Sequence, residues 1–339
     1  MWALGKSNKA IEFNLKPLNI FYKEPDPDRW IKFDRYPRRL IRRVVRGKQR
    51  PGGQMMVAIN LMKGLDNLGI PYRFNDYRYA KKNPNELIGV IGKPHLIFEK
   101  KFNNPILFGA SVYSHPLECP NLLREFPNVK KILVPGPWMK TKFDEYYGSS
   151  NVISWPVGID TQTWNSEIKS ETKIDFLIYD KVRWQHKEFE NVLIQPIIEK
   201  LNSLNLSHDI IRYGFYEPEQ LKEKLANSKA VIFLCEHETQ GIAYQQILST
   251  GTPILAWDRG GYWQDPSYYP HKIKFQPVSS VPYWDKRCGE KFTDIKDFEN
   301  ALMNFQNKLG SYEPEKLILE NLTLEKCAKE YVEIYNSLL

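Results

Sequence analysis

No apolar run in the chain reaches the roughly 18–20 residues that a membrane-spanning helix needs. The first residues, Met1 to Asn8, lack the continuous apolar stretch of a secretory leader. Cysteine is scarce. The four present, Cys119, Cys235, Cys288 and Cys327, show no CxxC or CxH spacing, so neither a disulfide framework nor a structural zinc site is readable. A reducing, cytoplasmic compartment is therefore expected. Long repeats, low-complexity tracts and Gly/Ser linkers are also missing. What remains is an ordinary globular composition of 339 residues, 42% hydrophobic and 26% charged. That excludes wholesale disorder. At roughly 150 residues per domain the length suggests about two domains.

The formal net charge of +8 is local. Residues 31–50, IKFDRYPRRLIRRVVRGKQR, hold nine Lys and Arg against one Asp, and the rest of the chain holds 39 residues of each sign. Arg38, Arg39, Arg42, Arg43 and Arg46 alternate with Leu40, Ile41, Val44 and Val45. At about 100° per residue these separate into a basic and an apolar helical face. Trp30, Phe33 and Tyr36 precede them. Basic amphipathic helices with aromatic anchors lie on anionic membranes, each cation adding about 1 kcal/mol. Peripheral attachment beside a lipid-linked acceptor is one reading. The others are a helix packed on the N-terminal domain, its arginines facing solvent or donor phosphates, and a polyanionic glycan acceptor. Nucleic acid is the least favoured partner, because no nucleic-acid module accompanies the charge.

Short apolar runs at 18–23, 70–74, 87–92, 105–110 and 131–135 predict one series of strands. Runs at 174–179, 208–213, 230–235, 252–257 and 272–276 predict a second. Several are continuous rather than alternating, as in parallel sheets covered on both faces. Helices are predicted at 53–68, 136–147, 187–204, 217–227, 240–250, 293–309 and 323–338. Strand alternating with helix implies βαβ units. The polar segment 156–172 divides the chain into an N-terminal domain, 1–160, and a C-terminal domain, 161–339, whose last helix could pack back on the first. Two such domains form a cleft between the carboxyl edges of their sheets, where ligands of open α/β sheets bind.

The segment from Glu238 to Ala256 carries the chemistry. It follows the apolar run AVIFLC, enters a helix near Gln240 and ends in the turn Gly251-Thr252-Pro253. Gly241 permits close approach of backbone to a ligand. The free N–H groups around Gln240, Gly241, Ile242 and Ala243 form a ready anion site. Gln246 lies roughly 9 Å further along the axis.

This segment resembles the E-x7-E motif of retaining GT-B glycosyltransferases, in particular the family 4 group, which reads E-x-F-G-x-x-x-x-E-A-x-A-x-G-x-P-V-V-A. The register matches without gaps from Glu238 to Ala256. Leu133–Phe143 resembles the family's segment opening the last N-domain helix. Trp155–Asp160 looks like its crossover, with Val157 in place of Asn. Gly260-Gly261 looks like its GGvpE loop. The resemblance is clear over 131–265 and weaker over 50–130. It implies a GT-B fold, with two Rossmann-like domains facing across a cleft. It also implies a nucleotide-sugar donor, with Glu238 orienting the donor sugar by its hydroxyls. Gln246 departs from the pattern, because the family has an acid there that holds the donor ribose. An amide still accepts and donates hydrogen bonds.

The family places an Arg and a Lys against the donor diphosphate after the first C-domain strand. Lys181 and Lys187 align with them, and Arg183 rivals either. Fixed cations there would stabilise the departing diphosphate, and a solvated basic loop is the other reading. Gly52 and Gly53, before the predicted helix 53–68, match in place the Gly-rich loop that faces the diphosphate in GT-B enzymes; a plain loop is the alternative. His115, just past 105–110, is a candidate to bind the donor sugar or deprotonate the acceptor, or is structural. Asp26-Pro27-Asp28 fits DxD in letters, but it lies in a Pro-rich loop, so no metal is assigned. The resemblance implies front-face transfer with retention, needing no cofactor beyond a UDP- or GDP-sugar as substrate. A catalytically weak GT-B protein that binds nucleotide or glycan is the alternative.

Overall fold

The computed structural model describes residues 16–24, 52–110 and 112–339. The basic segment 31–50 and Asp26-Pro27-Asp28 lie outside the described residues. The N-terminal half runs β1 (Leu18–Tyr22), α1 (Gly53–Asn67), β2 (Tyr72–Phe74), α2 (Tyr77–Lys82), β3 (Ile88–Ile91), α3 (His95–Lys100), β4 (Ile106–Phe108), α4 (Leu122–Glu125), β5 (Val129–Val134), α5 (Pro137–Tyr147) and β6 (Val152–Ser154). Its strands lie in the order β2-β1-β3-β4-β5-β6, and every pairing is parallel.

The C-terminal half runs β7 (Ile174–Asp180), α6 (His186–Phe189), α7 (Gln195–Ser203), β8 (His208–Arg212), α8 (Pro218–Ala226), β9 (Ser228–Leu234), α9 (Ile242–Ser249), β10 (Ile254–Trp257), β11 (Gly289–Phe292), α10 (Phe298–Lys308), α11 (Pro314–Asn321) and α12 (Leu324–Asn336). Its sheet, also all parallel, has the order β11-β10-β9-β7-β8. A π-helical turn, Glu190–Ile194, joins α6 to α7. The continuous apolar runs became strands because helices cover both faces: every residue of β3 and β10 is buried.

One expected strand is absent, and two observed strands carried no sequence signal. Residues 272–276 form no strand. Ile273 and Phe275 bury their side chains beside Trp138 and Trp263 in a core shared with the N-terminal half. Their alternation serves that contact and not a sheet. The strand beside β10 is β11, whose sequence Gly-Glu-Lys-Phe carries two charges and gave no apolar signal. The three-residue β6 was too short to read.

The last helix of the C-terminal half returns to the N-terminal half. Helix α12 packs on α1, and Leu61 and Leu65 share one core with Ala328, Tyr331 and Val332. A Cβ on Gly64 would overlap the Leu324 carbonyl, so only glycine permits this approach. The crossover lies beneath. Trp155 Nε1 donates to the Cys327 carbonyl at 2.9 Å, and Asn60 Nδ2 donates to the Gly158 carbonyl at 2.8 Å.

Candidate functional site

The carboxyl ends of β7, β9 and β10 release three loops, 181–185, 235–241 and 258–263, which build the site. Asp180, buried at the end of β7, accepts the Val182 N–H at 3.1 Å and pairs with His186 Nε2 at 2.7 Å. These contacts tie both ends of the first loop. Glu236 fixes its middle: one carboxylate oxygen accepts the N–H groups of Arg183 and Trp184, each at 2.8 Å. Sequence reasoning passed over Glu236, since an acid two residues before the motif carries no spacing signal.

Lys181 caps the β7–β9 ladder, its N–H donating to the Leu234 carbonyl at 2.8 Å. Its ammonium forms a buried ion pair with Glu238 and sits 4.3 Å from the centre of the Tyr213 ring. Burial opposes the charge on Lys181, yet the Glu238 carboxylate holds its pKa above the ordinary lysine value. The Arg183 guanidinium donates to the His237 carbonyl at 2.8 Å and lies 3.6 Å from Glu236, with 35% of its side chain exposed. Lys187, in α6, is exposed.

Glu238 is the point where the two halves meet. Its N–H donates to the Ser279 carbonyl at 2.9 Å, and its carbonyl accepts from Trp138 Nε1 of α5 at 2.7 Å. Gly136, the residue before α5, lies so close to Thr239 that a Cβ there would overlap the Thr239 carbonyl. Gly241 precedes α9 with φ +85, a left-handed conformation that suits glycine. The helix therefore starts two residues later than its sequence suggested. The N–H groups of its first turn, at Ile242 and Ala243, have no intrahelical acceptor. Gln246 stands partly exposed in the next turn.

The structure brings Lys181, Arg183, Glu238 and the start of α9 together. It places other candidates differently. The Gln240 side chain is buried and committed to the crossover, accepting the Val157 N–H at 3.0 Å and donating to the Val157 carbonyl at 2.7 Å. His115 is 1% exposed. Its Nδ1 accepts the Leu117 N–H at 3.1 Å, and its ring stacks on Trp263 with centroids 5.7 Å apart. Burial, aided by the Lys142 charge, pushes its pKa down to about 4, so the ring is neutral near pH 7. Gly52 and Gly53 are exposed at the start of α1 with open space around them.

A second unforeseen residue is Lys142. It is 1% exposed, donates to the Ser114 carbonyl at 2.5 Å and lies 3.8 Å from the centre of the Trp263 ring. Burial pulls its pKa down to about 7, against the opposing pull of Asp265 and Glu118. The spacing Trp138, Met139, Lys142, Phe143 puts it on the apolar face of α5, which was a readable signal.

No protein-family model and no curated protein matches the sequence. Solved structures do match in shape. The lipopolysaccharide outer core galactosyltransferase WaaB in its apo form aligns with a TM-score of 0.58 and 11% identity, over 96% of this chain and 100% of that one. Sucrose-phosphate synthase from Thermosynechococcus elongatus aligns at 0.54 and 11%, over 95% and 99%. Anabaena HepE in complex with UDP-glucose aligns at 0.50 and 9%, over 94% and 99%. Against the chain matched in the GtfA/B complex, this chain spans 62% of that chain's length. These likenesses and the two parallel sheets show the GT-B fold.

Proposed function

We propose that the chain is a glycosyltransferase that moves a hexose from a nucleotide sugar, UDP- or GDP-linked, to a glycan or lipid-linked acceptor. The observation that carries this reading is the buried Lys181–Glu238 pair beside the open first turn of α9. Neither charge is spent on the core, since both stand at the carboxyl edge where ligands of such sheets bind.

A donor diphosphate placed against α9 would meet the N–H groups of Ile242 and Ala243, which favour anions. Lys181 would turn from Glu238 to phosphate, and Arg183 and Lys187 would add charge where the leaving group gains it. Glu238, relieved of its partner, would accept hydrogen bonds from donor-sugar hydroxyls and orient the ring. Gln246 would offer its amide to the ribose. The acceptor hydroxyl then attacks C1 on the face of the departing diphosphate. The C1–O bond to phosphate breaks, and a phosphate oxygen takes the acceptor proton, with retention. In this reading the lysines and arginine do the work of a metal, so turnover is expected to survive EDTA. The fold of WaaB and HepE supports the donor class: HepE's structure holds UDP-glucose.

A panel of UDP-, GDP- and ADP-sugars assayed for nucleotide release tests the proposal, and failure of every nucleotide to stabilise the protein would sink it. The amide at Gln246 favours a second reading, a protein that binds nucleotide without transfer. Nucleotide binding with no release would select it. Attachment of residues 31–50 to a membrane's inner face is part of the proposal. Salt-sensitive binding to anionic vesicles, lost on Arg42→Glu with Arg43→Glu, is its test.

A further inference from the structure

A concavity of about 540 Å³ opens where the end of β6 meets residues 282–285 and helices α11 and α12, a volume within the range of small-molecule sites. None of Lys181, Arg183, Glu238 or Gln246 lines it. Part of its wall is apolar, and hydrogen bonds anchor it. The Tyr283 hydroxyl donates to the Pro135 carbonyl at 3.0 Å, and the Tyr283 N–H donates to the Tyr244 hydroxyl at 3.0 Å. Leu317 and Leu322 are buried beside it, and the Trp284 ring is half-buried.

The polar groups around this wall have unequal freedom. Asp285 is taken up by Arg287, which meets it through Nε at 3.0 Å and Nη2 at 2.7 Å. The Asn321 amide nitrogen is used by the Leu317 carbonyl at 3.0 Å, which leaves its oxygen open. The exposed Glu330 carboxylate and the Trp284 indole N–H have no hydrogen-bond partner among the described residues. One free donor and two free acceptors, with the Ser154 hydroxyl 3.4 Å from that of Tyr283, thus surround an aromatic and aliphatic surface.

An uncharged sugar ring fits this pattern. Its C–H face packs on an indole, and its hydroxyls both donate and accept. A phosphorylated ligand would meet the Glu330 carboxylate with like charge. A quaternary ammonium would leave the indole N–H and the amide oxygen unmet. We propose that this concavity is a glycan subsite that holds one neutral hexose unit of a polysaccharide, apart from the Glu238 cleft. The assignment is argued from the lining and stands whether or not the cleft transfers sugar.

The full chain is titrated with neutral tetrasaccharides of glucose, mannose, galactose and N-acetylglucosamine, read by tryptophan fluorescence and saturation-transfer NMR. At least one binds. Trp284→Ala removes that binding, Trp284→Tyr weakens it, and Glu330→Gln weakens it about tenfold, as for loss of a hydrogen bond to a charged group. Glu238→Gln leaves it unchanged, and neither Trp284→Tyr nor Glu330→Gln alters stabilisation by UDP or GDP. Failure of all four tetrasaccharides to bind overturns the proposal. So does binding indifferent to both Trp284 variants, or binding of phosphocholine that depends on Trp284. Loss of nucleotide stabilisation alone would count against the cleft and leave this subsite intact.

Discussion

Gln240 and Val157, 83 positions apart in sequence, exchange two hydrogen bonds: the amide oxygen accepts the Val157 N–H and the amide nitrogen donates to its carbonyl. The residue just before Gly241 and α9 thereby fastens the crossover between the sheets. Gln240→Ala would leave two buried backbone groups unmet. We expect it to lower stability by roughly 2–4 kcal/mol. Gln240→Glu would keep the acceptor and lose the donor, with an intermediate result. Denaturant melts measure both, and a wild-type midpoint for Gln240→Ala would refute the clamp.

Variants of the Lys181–Glu238 pair separate its contribution to stability from its role in the proposed transfer. Glu238→Gln strands a buried ammonium, and breaking such a pair typically costs about 3–5 kcal/mol. Combining it with Lys181→Met removes the stranded charge and is expected to recover most of the melting temperature. On the proposed function, transfer stays lost in the double variant, by about 100-fold or more, because the diphosphate and sugar would lose their partners. Recovery of nucleotide release along with stability would show that neither side chain acts on substrate.

Lys142 makes stability pH-dependent in a defined direction. Its folded pKa lies near 7 and its ordinary value is 10.5. Between these the unfolded chain binds the extra proton, so stability rises as pH climbs from about 7 towards 10.5. Lys142→Met should flatten that rise and melt higher than wild type at pH 7. Equal slopes in the two proteins would show that the ammonium stays charged in the fold, held by Ser114 and the Trp263 ring.

His115 works on the acid side. Its folded pKa near 4 is below the ordinary value of 6.5. The unfolded chain therefore gains the proton first, and stability falls as pH drops from about 6.5 towards 4. His115→Asn retains a side-chain acceptor for the Leu117 N–H and should weaken that acid loss, followed by thermal melts across the window. If His115 is instead a general base, the same variant loses turnover with its melting curve unchanged.

Much of this architecture was legible from residues. Short apolar runs gave nine of the strands, and burial on both faces left several of them continuous, as in β3 and β10. Glu238, Gly241 and the Gly-Thr-Pro turn were expected between a strand, a helix and the next strand, and they lie between β9, α9 and β10. What stayed hidden depends on partners distant in sequence. Ile273 and Phe275 read as strand because alternation does not say which surface receives it. The roles of Gln240, Glu236 and Lys142 rest on Val157, Arg183 and Trp263. No local pattern names such partners.

The packing of α12 on α1 sets an order of events during synthesis. The growing chain emerges N-terminus first, so Leu61 and Leu65 exist long before Ala328 and Tyr331, which complete their core. Until α12 is made, α1 carries an uncovered apolar flank. Premature termination between α1 and Leu324 would release a molecule with that flank still bare, and a chaperone has the time of translation between them to act on it.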